Sequence, residues 1–319
     1  MPFVVQRRGS TIEARHAFSA VCVDGAGNVR DQVGEDLRTT WRSAAKPFQL
    51  EVSLRLLPRE GVEALDGPSL ALGTASHHAE PDHLAGVQQL LERWGCVERD
   101  LRCGAHDPVN LDAQRALILS GREATLLHNN CSGKHAFMVA ACRAQGWSAD
   151  YLDSEHPLQL QILQNVELRS GVQGVGRVVD GCGVPCFVLP LTGMARAWAQ
   201  VAEAASTGEG LLGRIGRALL DYPWYASGTG AVDGELVYRT GGAVMAKVGA
   251  EALLCLGLPT LGLGAAIKVH SGSSLAREVA VRWVLRRWRD LGWPDSGLPL
   301  DEELRNCVGT QCGLLSVES

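Results

Sequence analysis

No basic cluster in this sequence is long enough to follow a phosphate backbone. Its 30 Lys and Arg against 35 Asp and Glu leave a net charge of −5, which excludes nucleic-acid binding as the main function. Nor is there an uninterrupted apolar run of bilayer length. The most apolar stretch, Ala252–Ile267, is broken by Pro259 and three glycines and falls short of the ~20 residues of a transmembrane helix, so it reads as two buried strands and a turn. The opening residues, Met1-Pro2-Phe3-Val4-Val5-Gln6-Arg7-Arg8, lack the apolar core of about 7–15 residues that marks a secretory signal. Ten cysteines in 319 residues are too sparse for a disulfide scaffold, so reduced thiols in a cytoplasm are expected and clustered thiols are read as candidate ligands. Internal repeats, low-complexity tracts and Pro/Ser-rich linkers are missing, and no GxGxxG joins a strand to a helix, which removes the usual support for nucleotide binding.

What is present describes a globular chain. Hydrophobic residues make up 46% and charged residues 20%, enough to bury a core without staples. Aromatics are only 5% but glycines number 37, so tight turns and close backbone approaches are expected. β-Branched residues over Thr11–Val23, a turn at Asp24–Asn28 and a second run near Val29–Glu35 predict a hairpin. Ser43 opens a predicted helix, with Pro47 tolerated in its first turn. Ser69–Ala75 reads as a short buried strand. Helices are predicted over Pro81–Trp94, Lys134–Gln145, Pro157–Arg169, Thr192–Ala205, Leu211–Asp221 and Ser273–Leu291. Strands are predicted at Arg177–Val179 and Cys186–Leu189, with a three-strand antiparallel meander within Gly241–Val269. Strands at both ends with helices between them imply an α+β architecture. The chain reads as one unit over 1–319. Residues 1–42 and about 241–319 bring the sheet and terminal helix, and about 43–240 forms a mostly helical region.

Several segments carry chemistry. In Ser43-Ala44-Ala45-Lys46 the hydroxyl and amine stand at i and i+3, on one helix face, where a desolvated lysine can take a serine proton. The ordinary alternative is a capping serine with a solvated lysine. His128-Asn129-Asn130-Cys131-Ser132-Gly133-Lys134-His135 packs a thiol, an amine, two imidazoles and two amides at a helix start, and Asp180-Gly181-Cys182-Gly183-Val184-Pro185-Cys186 adds a carboxylate and two thiols on a turn. Cys131 and Cys182 with a neighbour suit zinc, or are simply small buried residues beside glycine turns. Ser76 and His77 lie in a polar loop, and Lys247 sits inside the apolar meander, either reaching water at a strand end or facing a site.

Taken in order, these motifs resemble the rhizobial-type, thermolabile (class 3) L-asparaginases: Arg-Ser-x-x-Lys-Pro-Phe at Arg42–Phe48, Ala-Ser-His at Ala75–His77, His-Asn-x-Cys-Ser-Gly-Lys-His at His128–His135, Asp-Gly-Cys-Gly-x-Pro at Asp180–Pro185 and Lys-x-Gly-Ala-Glu at Lys247–Glu251. The resemblance covers nearly the whole chain. It implies a fold similar to serine β-lactamases and glutaminases, an antiparallel sheet flanked by helices with a helical insertion. It also implies hydrolysis of L-asparagine to L-aspartate and ammonia through a serine acyl-enzyme. Ser43 with Lys46 and Ser76 with Lys247 are the implied catalytic pairs, the nucleophile being either serine. Cys131, Lys134 and Cys182 are the implied ligands of one Zn2+ per chain, structural or substrate-orienting. Arg42, Asn130, His135 and Asp180 are the implied substrate-facing neighbours. A homodimer, with no nucleic-acid or membrane partner, is implied as well. Asp233 stands where some members carry a cysteine. Rival readings are a glutaminase or other amidohydrolase on the same fold, and a non-catalytic zinc-binding protein.

Overall fold

In the structure, a computed structural model that describes residues 1–318, strands from both ends of the chain share one sheet. The N-terminal segment supplies β1 (Phe3–Arg8), β2 (Thr11–Asp24) and β3 (Val29–Val33), followed by β4 (Arg38–Thr40). Mid-chain come β5 (Gly176–Val179) and β6 (Pro185–Pro190). The meander is β7 (Met245–Gly249), β8 (Leu253–Leu258) and β9 (Leu263–Val269), and the last pair is β10 (Glu302–Arg305) and β11 (Gln311–Glu318). The main sheet has the order β10-β11-β1-β2-β9-β8-β7, with β3 also on β2, and all its pairings are antiparallel. A separate three-stranded sheet, β4-β6-β5, stands beside it. This is the expected α+β arrangement, with helices inserted between the N-terminal strands and the meander.

The long strand β2 belongs to two ladders. Its first half pairs with β1, while Ala20–Val23 lie between β3 and β9. Every residue of β8 and β9 is buried, so both faces of the meander are covered. The helix Leu191–Thr207 packs on these strands at a distance only glycine permits. A Cβ at Gly264 would stand 2.1 Å from the Ala195 carbonyl oxygen and 2.2 Å from the Ala199 nitrogen. Helix Ser274–Arg287 also packs on β9 and is capped by Ser273, whose hydroxyl accepts from the Ala276 N–H at 3.2 Å. No helix among the described residues is long and apolar enough to cross a membrane.

The structure corrects one element and shifts another. The apolar run predicted as a strand over Ser69–Ala75 is a helix, Gly67–Gly73. The reason is local: the Asp66 side chain accepts from the Ser69 N–H at 2.9 Å, and Pro68 pre-sets the first turn. The helix expected at Ser43 begins as a 3-10 turn, Arg42–Ala45, and becomes α-helical at Lys46–Leu56. Trp198 Nε1 donates to the Ala44 carbonyl at 3.1 Å, and Trp41 stacks on Phe48 with ring centroids 4.8 Å apart. These contacts fix the turn that bears Ser43.

Candidate active site

Lys46 opens its helix almost completely buried, and among the described residues no hydrogen bond joins its amine to Ser43. Nζ donates to the Ala75 carbonyl and, at 2.9 Å, to Ser76 Oγ. The Ser43–Lys46 hydrogen bond expected from their spacing is therefore replaced by Lys46–Ser76. The Ala75–Ser76 segment lies within reach because the helix Gly67–Gly73 ends just before it. Ser43 stays half-buried on its turn next to Arg42, whose φ of +49° is a conformation that non-glycine residues seldom adopt.

Burial is the main reason that the Lys46 ammonium is held below its ordinary pKa; the cations of Lys134 and Lys247 act in the same sense, against Cys131. Lys247, on β7 and fully buried, donates from Nζ to Asp233 Oδ2 at 3.0 Å rather than to Ser76. Asp233 also accepts from the Val248 N–H at 3.1 Å and the Gly234 N–H at 3.2 Å. Burial alone would raise its carboxyl pKa, but Lys247 and these donors outweigh burial and lower it. The two lysines thus have separate partners, one a serine and one an aspartate.

The thiol motif folds into the neighbouring wall. Cys131 occupies the N-cap of the helix Ser132–Gln145, and Gly133 lets that helix start against the backbone of Leu72: a Cβ there would lie 2.3 Å from the Leu72 carbonyl oxygen. Lys134 Nζ donates to Cys182 Sγ at 3.0 Å. The two buried thiols act on each other, which lowers the pKa of Cys131 and raises that of Cys182, so the pair loses its first proton readily and its second with difficulty. Lys134 is kept charged: burial works against its ammonium, but Cys182, Cys131 and Asp180 prevail and raise it. Arg42 Nε donates to Asp180 Oδ1 at 2.6 Å. Burial pushes the Asp180 carboxyl up, while Lys134 and Arg42 bring it down, with a net lowering.

Asn130 accepts from the His77 N–H through its carbonyl at 3.1 Å, and its Oδ1 lies 3.3 Å from Cys131 Sγ. His77, fully buried, binds Ser132 Oγ through Nε2 at 2.8 Å, which clips the Ser76 loop to the thiol motif. His135 is also fully buried, with Nδ1 2.9 Å from Tyr151 OH. That hydroxyl accepts from the Arg102 N–H at 2.8 Å, and with its own proton turned to His135 Nδ1 the imidazole carries hydrogen on Nε2. Burial first, then Lys134 and Lys46, hold His135 neutral, leaving Nε2–H a buried donor without a partner among the described residues.

The structure therefore gathers Lys46 with Ser76, Cys131 with Cys182 and Lys134, and Arg42 with Asp180. Two residues with roles in this arrangement were missed: Asp233 as the partner of Lys247, and Tyr151 as the group that fixes the His135 tautomer. No sequence spacing marks either one. Among the described residues no three His, Cys, Asp or Glu side chains group as a metal site. A metal here needs the Lys134 amine as third donor, after loss of its proton. Two thiols and an amine are a donor set that fits zinc.

A family model described as L-asparaginase II matches residues 4–313. No curated protein matches the chain. Among solved structures, one described as "Crystal structure of Mglu in its native form in the presence of 4.3M NaCl" is similar at 14% identity with a TM-score of 0.38, too low to carry an argument. The match covers 88% of this chain but only 62% of that one.

Proposed function

This chain belongs to the L-asparaginase II family, and from that premise we propose that it hydrolyses L-asparagine to L-aspartate and ammonia through a serine acyl-enzyme. The observation that supports a hydrolytic site best is the buried Lys46 amine, lowered in pKa and bonded to the Ser76 hydroxyl. A lysine whose neutral amine is favoured by burial is the base a serine needs.

In the proposed reaction Ser43 Oγ attacks the side-chain amide carbon, and its proton passes by way of Ser76 to Lys46. The tetrahedral adduct collapses to a β-aspartyl ester as the amide nitrogen takes that proton and leaves as ammonia. Water, deprotonated by the same lysine, then cleaves the ester. The Lys46–Ser76 contact favours a second reading of the first step, in which Ser76 itself attacks and Lys46 takes its proton directly. Asp180, ionised beside Arg42, suits the substrate α-ammonium, and the remaining Arg42 donors suit its α-carboxylate. The His135 Nε2–H is a donor for a substrate oxygen.

Cys131, Cys182 and Lys134 would hold zinc. Two thiolates balance the ion's formal charge, so when bound it would supply a fixed coordination point that shapes the pocket and orients substrate, rather than strong Lewis acidity.

Ammonia release from L-asparagine and L-glutamine, and ring opening of a chromogenic β-lactam, measured in parallel on the purified protein, test the reading. Turnover of L-asparagine above the other two supports it. Faster turnover of L-glutamine makes the chain a glutaminase, and turnover of none of the three favours the non-catalytic zinc protein.

A further inference from the structure

Tyr151 has a second face. Besides holding His135, it lines a cavity of about 230 Å3 to which none of Ser43, Lys46, Ser76 and Lys247 contributes. The cavity wall includes Val139, Cys142 and Arg143 from the helix Ser132–Gln145. His135, Val139 and Cys142 are spaced by four and three residues, so the helix face that presents His135 continues into this cavity. The half-buried indole of Trp147 supplies a further apolar surface.

Two opposite charges line the same space without neutralising each other. Among the described residues Asp100 Oδ2 accepts only the Val97 N–H, at 2.9 Å, and Arg143 stands at the rim. Among the described residues neither forms an ion pair, whereas elsewhere on the surface Arg59 pairs with Glu63, Arg115 with Asp112 and Arg217 with Asp221. Both nevertheless act on the thiol of Cys96 in the same cavity: burial raises its pKa, Asp100 adds to the rise and Arg143 opposes it. The volume is below the ~300–1,000 Å3 of pockets for drug-sized ligands, so the occupant is small. A carboxylate and a guanidinium facing one small space with apolar walls call for a ligand that bears both charges on a compact frame.

We propose that this cavity is a second ligand site, which takes a free α-amino acid as its zwitterion: carboxylate to Arg143, ammonium to Asp100 and side chain against Trp147 and Val139. The Tyr151–His135 hydrogen bond joins this site to the catalytic groups. An occupant that moves Tyr151 therefore acts on the His135 donor.

Calorimetric titration of the intact protein with L-valine tests the proposal, with isovalerate, which lacks the ammonium, and isobutylamine, which lacks the carboxylate, as controls. The expected result is saturable binding of one L-valine per chain, at least tenfold weaker for each control ligand. Arg143→Met and Asp100→Asn should each weaken L-valine at least tenfold while the circular dichroism stays that of the wild type. The proposal is overturned by no saturable heat, by equal binding of the controls, or by wild-type affinity in either variant. The readout is binding, so a failure of asparagine hydrolysis leaves this test intact.

Discussion

Lys46 Nζ and Ser76 Oγ lie 2.9 Å apart although 30 positions separate them in the chain. The i+3 spacing of Ser43 and Lys46 suggests a different partner, and the choice between the two serines is an experimental one. Ser43→Ala and Ser76→Ala should each lower kcat by several orders of magnitude, on the order of 10^3–10^6-fold, because a nucleophile and its relay act as a unit. Peptide mapping of acid-quenched enzyme distinguishes them. A β-aspartyl adduct on the Ser43 peptide supports the relay, and one on the Ser76 peptide assigns the attack to Ser76.

The pH dependence follows from Lys46. Its pKa lies below the ordinary 10.5 in the fold, and only the neutral amine accepts a proton. kcat/KM should therefore rise with pH through the lowered pKa and then level off. Lys247 is one of the cations that lower it, so Lys247→Met should move the rising limb to higher pH. A limb at the wild-type position in that variant would confine Lys247 to its contact with Asp233.

That same substitution leaves Asp233 buried without its cation. Removing one partner of a buried ion pair costs about 3–5 kcal/mol, so Lys247→Met should lower stability by that order. Adding Asp233→Asn removes the orphaned charge and should restore part of the loss in a denaturant titration. The Asp233 pKa is depressed in the fold, so its stabilising effect is full above the unfolded value near 3.8 and fades as pH falls through the folded one. The gap between wild type and Lys247→Met should narrow accordingly in acid.

Metal analysis addresses the thiol wall. The purified protein should carry close to one zinc per chain, and Cys131→Ser or Cys182→Ser should lose it. Chelation should raise KM more than it lowers kcat, in keeping with an orienting role. Loss of turnover at unchanged KM would point to a direct part in the chemistry.

Much of this arrangement is legible in the sequence, for reasons that differ by element. Helix Pro81–Arg93 announces itself through a first-turn proline and an amphipathic pattern. The run Ser69–Ala75 is too short and too uniformly apolar for its period to decide between strand and helix, and the Asp66 cap settles it only in three dimensions. At the candidate site, the motifs single out particular serines, lysines and cysteines, but not their hydrogen-bond partners. Asp233 meets Lys247 because the helix Val232–Arg239 packs on β7, a tertiary event that leaves no mark at either position.

The placement of β2 between two ladders also sets a clock for its amide protons. Backbone around Ala20–Val23 has β3 on one side and β9 on the other, and these four side chains have no solvent exposure. β3 is itself a short edge strand, so its fraying frees the amides that face it, whereas solvent deuterium reaches those bonded to β9 only when the sheet itself opens. The exchange rates of the amides bonded to β9 report the opening of the sheet, and any variant that destabilises the catalytic region without opening the sheet leaves them slow.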